Sequence, residues 1–222
     1  MSSTIANPWL FVPKRPDFVL PDDRLSVREF NKTARWPNCI ALDVLPEPFF
    51  GPRDAPVVVL LLNPGLGPDT HAHHRRVDFA RALRADIAAE HAHYHFHLVD
   101  STSGPGHIWW TGKCRELAEE LSDPDYTRVA SGMLSVQYSP YHSASFGNRP
   151  IRLQSQQFAF SLVRAAIRRR ALIVCLRGVR LWQRAIPELT GYRRFEIAKN
   201  PRAGSLSLAN IVNYKAIVGA LR

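Results

Sequence analysis

The side chains best placed for chemistry in this sequence are amides and serines that follow apolar runs. Residues 61–68 read LLNPGLGP and lie at the end of the unbroken run VVVLLL, Val57–Leu62. Asn63, Pro64 and Gly65 put a polar amide, a rigid ring and a flexible residue in succession at the tip of a buried strand. Such a triplet can hold a water or ligand on the amide while the backbone approaches closely. An ordinary turn, with Asn63 bonding its own backbone, fits the same residues. Asn63 cannot ionise, so its carbonyl can orient a water but cannot act as a general base. Other apolar runs end similarly: GMLSVQYSP in Gln137 and Ser139, ALIVCLRG in Arg177, and RRFEIAKNP in Asn200. Gln137 carries both donor and acceptor, which suits reading a hydrogen-bonding edge and equally suits satisfying backbone at a strand end.

A second candidate chemistry lies in EHAHYHFHLVD, where His91, His93, His95 and His97 alternate, with His71, His73 and His74 upstream. An extended segment would project all four on one face, a possible metal surface. Neighbours on that face would stand about 7 Å apart, too far for four to share one ion. A polar strand or loop face is the simpler expectation.

These residues must be positioned by the elements around them. The first 56 residues hold nine of the 17 prolines. They read as an irregular arm with one short helix near RLSVREFNK. VVVLLL reads as a central parallel strand covered on both faces. Helices are expected over Asp78–His91, His107–Ser122, Arg152–Arg170, VRLWQRAIPEL, and Ser207–Leu221, the last capped by its serine. Strands are expected over Gly132–Pro140, Ala171–Gly178 and Arg193–Pro201. Alternating strands and helices predict a parallel sheet with helices on both faces, and such sheets bind ligands beyond the carboxyl ends of their strands. Asn63, Gln137, Ser139, Arg177 and Asn200 all fall there.

At 222 residues and 45% hydrophobic content, a packed domain is expected. No run is long and apolar enough for a membrane span, and three scattered cysteines, Cys39, Cys114 and Cys175, suit a reducing cytoplasm. The net charge of +10 is segregated: residues 144–222 hold 15 Lys and Arg against Glu188 and Glu196, a balance of +13. A basic face suits nucleic acid, and a solvated surface would look the same.

LLNPGLGPD is similar to the first motif, roughly G-(I/M)-N-P-G, of the mismatch-specific and single-strand-selective branches of the uracil-DNA glycosylase superfamily. KNPRAGSLSLANIV is similar to the second motif of the mismatch-specific branch, N-P-S-G-L-S followed by a final helix. MLSVQYSP resembles the middle strand whose terminal Asn reads the base. The resemblance spans about residues 50–222, one domain of usual size. Departures are Leu61 in place of Gly, Asn200 where uracil-specific members carry His, Arg202-Ala203-Gly204 in the wedge loop, and Gln137 in place of Asn.

The resemblance implies a three-layer α/β/α sandwich with a central four-stranded parallel sheet over residues 51–222, with residues 1–50 as an arm packed on it. It implies a monofunctional DNA glycosylase, free of metal and cofactor, that hydrolyses the N-glycosidic bond of uracil or another damaged base in base-excision repair. Asn63 would place the water and Asn200 would stabilise the leaving base. Gly65, Leu66, Gln137 and Ser139 would contact the base, and Arg202, Gly204, Ser205 and Ser207 the DNA, helped by a helix starting near Ser205. Phe79, Tyr94 or Phe96 would stack on the flipped base, whereas Trp109 and Trp110 would pin their helix to the core. DNA is the expected partner, without a membrane, for a cytoplasmic monomer. The rival expectations are a non-catalytic nucleic-acid-binding protein of the same fold, and a metal-dependent hydrolase built on the histidines.

Overall fold

The computed structural model describes residues 5–89, 92–99, 104–147 and 151–222. In chain order the elements are α1 (Arg24–Thr33), β1 (Phe49–Phe50), β2 (Val57–Leu61), α2 (Thr70–His74), α3 (Val77–Ala88), α4 (Phe96–Val99) and α5 (Pro105–Glu120). There follow α6 (Thr127–Gly132), β3 (Met133–Gln137), α7 (Gln156–Arg168), β4 (Leu172–Cys175), α8 (Val179–Ala185), β5 (Phe195–Ile197) and α9 (Tyr214–Leu221). No helix among the described residues is long and apolar enough to cross a membrane.

The fold is α/β with one five-stranded sheet in the order β1-β3-β2-β4-β5. β2 pairs with β4 and β4 with β5, both in parallel. The expected four-stranded parallel sheet is therefore corrected to a mixed sheet of five. The additional strand is β1, and its flanking bonds run in the antiparallel sense. Gln137 N–H donates to the Pro48 carbonyl while Glu47 N–H donates to the Pro140 carbonyl, so one chain's numbering falls as the other's rises. Two residues between prolines are too short to show any period in sequence, which is why β1 escaped notice.

The chain divides into two compact units. One comprises Met1–Phe49, Leu62–Ala89 and Gln137–Ser161, and the other Phe50–Leu61, Glu90–Val136 and Leu162–Arg222.

In the first unit, the proline-rich N-terminal segment is tied down by side chains that satisfy its backbone. Arg84 donates to the Val12 and Pro13 carbonyls, and Asn7 donates to the Ile87 carbonyl. The fully buried Asp23 accepts from the Tyr141 hydroxyl at 2.8 Å and from the Ser155 N–H at 3.1 Å. That hydroxyl in turn accepts from the Leu20 N–H. α3 forms because Phe79, Leu83 and Ile87 recur every four residues and bury one stripe. Of its expected span, Glu90 and His91 lie outside the described residues.

In the second unit, β2 and β4 are buried along their whole length, as their unbroken apolar runs require. Val57, Val59 and Leu61 share a core with Leu172, Val174, Trp110, Leu117, Ile217 and Val218, which places α5 and α9 against that side. The Trp182 indole N–H of α8 donates to the Leu61 carbonyl at 2.9 Å.

Two expectations fail here. The last helix begins at Tyr214 rather than at Ser207, with Asn213 instead of a serine at its start. Side-chain to backbone bonds from Asn210 hold the intervening residues in turns, a competition that amides often win against a helix. The alternating histidines form no extended face either. α4 interrupts them, His93 is exposed, and His95 and His97 are buried. His95 Nε2 pairs with the Ser135 hydroxyl at 2.9 Å, and the His97 ring packs edge-on against Phe50. Aromatic neighbours bury these imidazoles, and periodicity alone could not reveal that.

Candidate functional site

The Asn-Pro-Gly segment belongs to the first unit and continues a sheet-like pairing rather than forming a free turn. Ser139 N–H donates to the Leu62 carbonyl at 2.7 Å, Ser143 N–H to the Pro64 carbonyl at 3.4 Å, and Gly65 forms a parallel bridge with Ser143. Asn63 is half-buried. Its Nδ2 donates to the Pro64 carbonyl at 2.9 Å, the Ser143 carbonyl at 3.2 Å and the Ser143 hydroxyl at 3.0 Å. A carbonyl can only accept, so two carbonyls on one side decide the amide's orientation. The NH₂ faces these acceptors, which leaves Oδ1 as the acceptor of the group. Self-bonding in a turn accounts for the Pro64 contact but not for Ser143, 80 residues away.

Gly65 is exposed, its φ lies outside the left-handed region, and a Cβ there would meet no heavy atom within 4 Å. The fold itself therefore does not require glycine at this place. The Gly65 carbonyl accepts from His142 Nδ1 at 2.7 Å. Leu66 is half-buried. Gln137, the last residue of β3, is 7% exposed, and its Oε1 is enclosed without a hydrogen-bond partner among the described residues. An unmet buried acceptor costs about 1–3 kcal/mol, a demand that a water or a ligand N–H would meet. Ser139 is buried beside it in sequence, with its backbone committed to Leu62.

The second motif lies in the second unit, as a loop bonded largely to itself. Asn200 Oδ1 accepts from the Arg202 N–H at 3.0 Å and the Ala203 N–H at 3.4 Å. These bonds make an Asx-type turn, and Asn200 itself is exposed. Arg177, beyond β4, donates to the Pro201 carbonyl at 3.0 Å and the Arg202 carbonyl at 3.4 Å, while Lys113 Nζ donates to the Ala203 carbonyl at 2.7 Å. Gly204 has φ +57°, a conformation that favours glycine. Ser205 and Ser207 share a hydroxyl contact at 3.2 Å. Because α9 starts only at Tyr214, no helix N-terminus stands at Ser205, and the expected dipole contribution there is withdrawn. Arg202 is exposed.

Of the expected stacking aromatics, Phe79 is enclosed with the His73 and His74 rings and Phe96 with Phe50, while Tyr94 is 44% exposed. Trp110 is buried, as anticipated. Trp109 is 36% exposed, with the Lys113 ammonium 5.5 Å from its ring centroid and an edge about 4.0 Å from where a Gly204 Cβ would stand. Burial pushes the Cys114 and Cys175 thiols up to about 12, which keeps both protonated and unreactive at neutral pH.

Sequence reasoning missed Ser143, His142 and Asn210. Ser143 and His142 sit in the polar run SPYHSAS just past β3, and Asn210 lies inside the span expected to be helical. Compared with protein-family models, curated proteins and solved structures, the chain matches none, so its chemistry rests on its own residues.

Proposed function

We propose that the chain is a DNA glycosylase of the uracil-DNA glycosylase-like kind, a three-layer α/β/α protein that hydrolyses the N-glycosidic bond of uracil or another damaged base. In that reaction the C1′–N bond breaks, a water oxygen bonds to C1′, and the base departs with the bonding pair. The water's proton passes to solvent or to the departing base. Positive charge grows on the sugar and negative charge on the base, so a positioned water and donors at the base oxygen are needed.

The observation that carries the reading is the orientation of Asn63. Three acceptors on its NH₂ fix Oδ1 as a preorganised acceptor at the end of a central strand, the one property a non-ionising water-positioning residue needs. Gly65 adds a stretch of backbone that the fold leaves open to a ligand. Gln137 supplies an enclosed carbonyl without a donor among the described residues, suited to the N–H of a base edge. In the second unit, the resemblance assigns Asn200 as a donor to the base and the exposed Arg202 as a contact to phosphate.

One observation favours the rival reading of a non-catalytic binder. Asn200 Oδ1 is engaged in shaping its own loop, a use that needs no substrate. The two readings separate on labelled single- and double-stranded oligonucleotides carrying uracil, hypoxanthine, xanthine or a mismatch, treated with alkali after incubation. A glycosylase leaves abasic sites that break, and Asn63→Ala abolishes them. A binder leaves every strand intact while still retarding the DNA.

A further inference from the structure

We propose that Glu47, His74 and His142 form a binding site for one divalent cation of the imidazole-preferring class, zinc foremost. All three belong to the first unit and come from separate places: Glu47 just ahead of β1, His74 at the end of α2, and His142 beyond β3. One ligand atom from each lies within 4.8 Å of the other two. Their side chains are only 12%, 4% and 3% exposed. Two imidazoles and a carboxylate match the donor set that such cations take, with a position left for water.

Hydrogen bonding within the cluster decides between a metal and a shared proton. His142 Nδ1 faces the Gly65 carbonyl at 2.7 Å, an acceptor only, so the proton of the neutral ring resides on Nδ1 and Nε2 carries a lone pair. His142 Nε2 stands 3.7 Å from a carboxylate oxygen of Glu47, and His74 Nε2 stands 3.5 Å from the same oxygen. Charge-assisted hydrogen bonds close to about 2.7–2.9 Å. Ligands held at about 2.0–2.2 Å around one tetrahedral ion stand about 3.3–3.5 Å apart. The two distances to Glu47 fit the second arrangement, and the ligand atoms of His74 and His142, within 4.8 Å of each other, would draw together on a shared ion. A backbone carbonyl on the far nitrogen of a ligating imidazole is also the usual device for fixing tautomer and ring orientation. His74 is more than nine-tenths buried, and its Nε2 is the ring nitrogen that stands beside Glu47.

This departs from the expectation of a metal-free protein, and it uses neither His93 nor its alternating neighbours. Because His142 holds the Gly65 carbonyl and Ser143 holds Asn63, a bound ion would stiffen the Asn-Pro-Gly segment. The proposal does not depend on glycosylase activity and is tested without DNA.

The test is titration of chelator-stripped full-length protein with Co²⁺, read by visible absorption, and with Zn²⁺, read by melting temperature. The wild type should saturate at one equivalent of Co²⁺, and Zn²⁺ should raise the melting temperature by several degrees where Mg²⁺ does not. Glu47→Gln and His74→Gln should each weaken uptake at least about tenfold. His93→Gln, an exposed histidine outside the cluster, should bind as the wild type does. Should one cluster variant fail to fold, the other and the wild-type titration still decide. Absence of saturable uptake by the wild type, uptake unchanged in folded cluster variants, or uptake lost in His93→Gln would each overturn the proposal.

Discussion

At the scale of single residues, Gly65 separates a folding role from a ligand role. Its backbone conformation suits any residue and a methyl group there meets nothing, so Gly65→Ala should leave the urea midpoint unchanged or raise it slightly. If the segment admits a base, the same variant should still lower base release by crowding it. Asn63→Asp makes the opposite point. It sets a carboxylate oxygen against the Pro64 and Ser143 carbonyls that now receive N–H, and urea unfolding should show a loss of about 1–3 kcal/mol. Asn63 was visible in the sequence because a polar amide ends a run of six apolar residues. Ser143 was not, because its use depends on a partner 80 residues away that no local pattern encodes.

The elements were legible where they were long and periodic. β2 and β4 announced themselves as unbroken apolar runs, α3 by its helical spacing, and α5 by the Ser-Gly-Pro-Gly break in the sequence before it. β1, two residues long, and the late start of α9 were not legible, since one depends on sheet pairing and the other on the side-chain bonds of Asn210. Asn210→Ala removes the acceptor of the Asn200 N–H and the donor to the Ser205 carbonyl, so the 199–211 loop should loosen. Amide hydrogen exchange should quicken there while β2 and β4 keep their protection. Gly51, just after β1, has φ +106°, and a Cβ would collide with the Met133 carbonyl. Gly51→Ala should therefore destabilise the fold by more than a surface substitution does, read as a lower melting temperature.

For the molecule as a whole, charge and burial set the response to solution conditions. The +13 balance of residues 144–222 predicts DNA binding that weakens steeply with salt, with a log–log slope of at least about −3. A flat dependence would remove nucleic acid as the partner. Burial raises the Cys114 and Cys175 thiols from 9.0 to about 12 and also pushes the Tyr141 hydroxyl upward, beside Asp23. A raised acid contributes stability that is fully present below its unfolded pKa and is lost as pH climbs toward the folded value. The urea midpoint should accordingly fall between pH 9 and pH 12, and a midpoint constant over that range would contradict the burial of these groups. The charge segregation is written in the sequence itself, whereas the burial of His95 and His97 depends on partners distant in the chain.

The central claim is that Asn63 positions the attacking water, and a single-turnover comparison tests it most directly. Base release from the preferred oligonucleotide would be timed for the wild type and Asn63→Ala, with the DNA dissociation constant of each measured in the same buffer. The account predicts a rate lower by about 10²-fold or more with affinity unchanged. An unchanged rate in Asn63→Ala, or no base released by the wild type from any substrate, would contradict it.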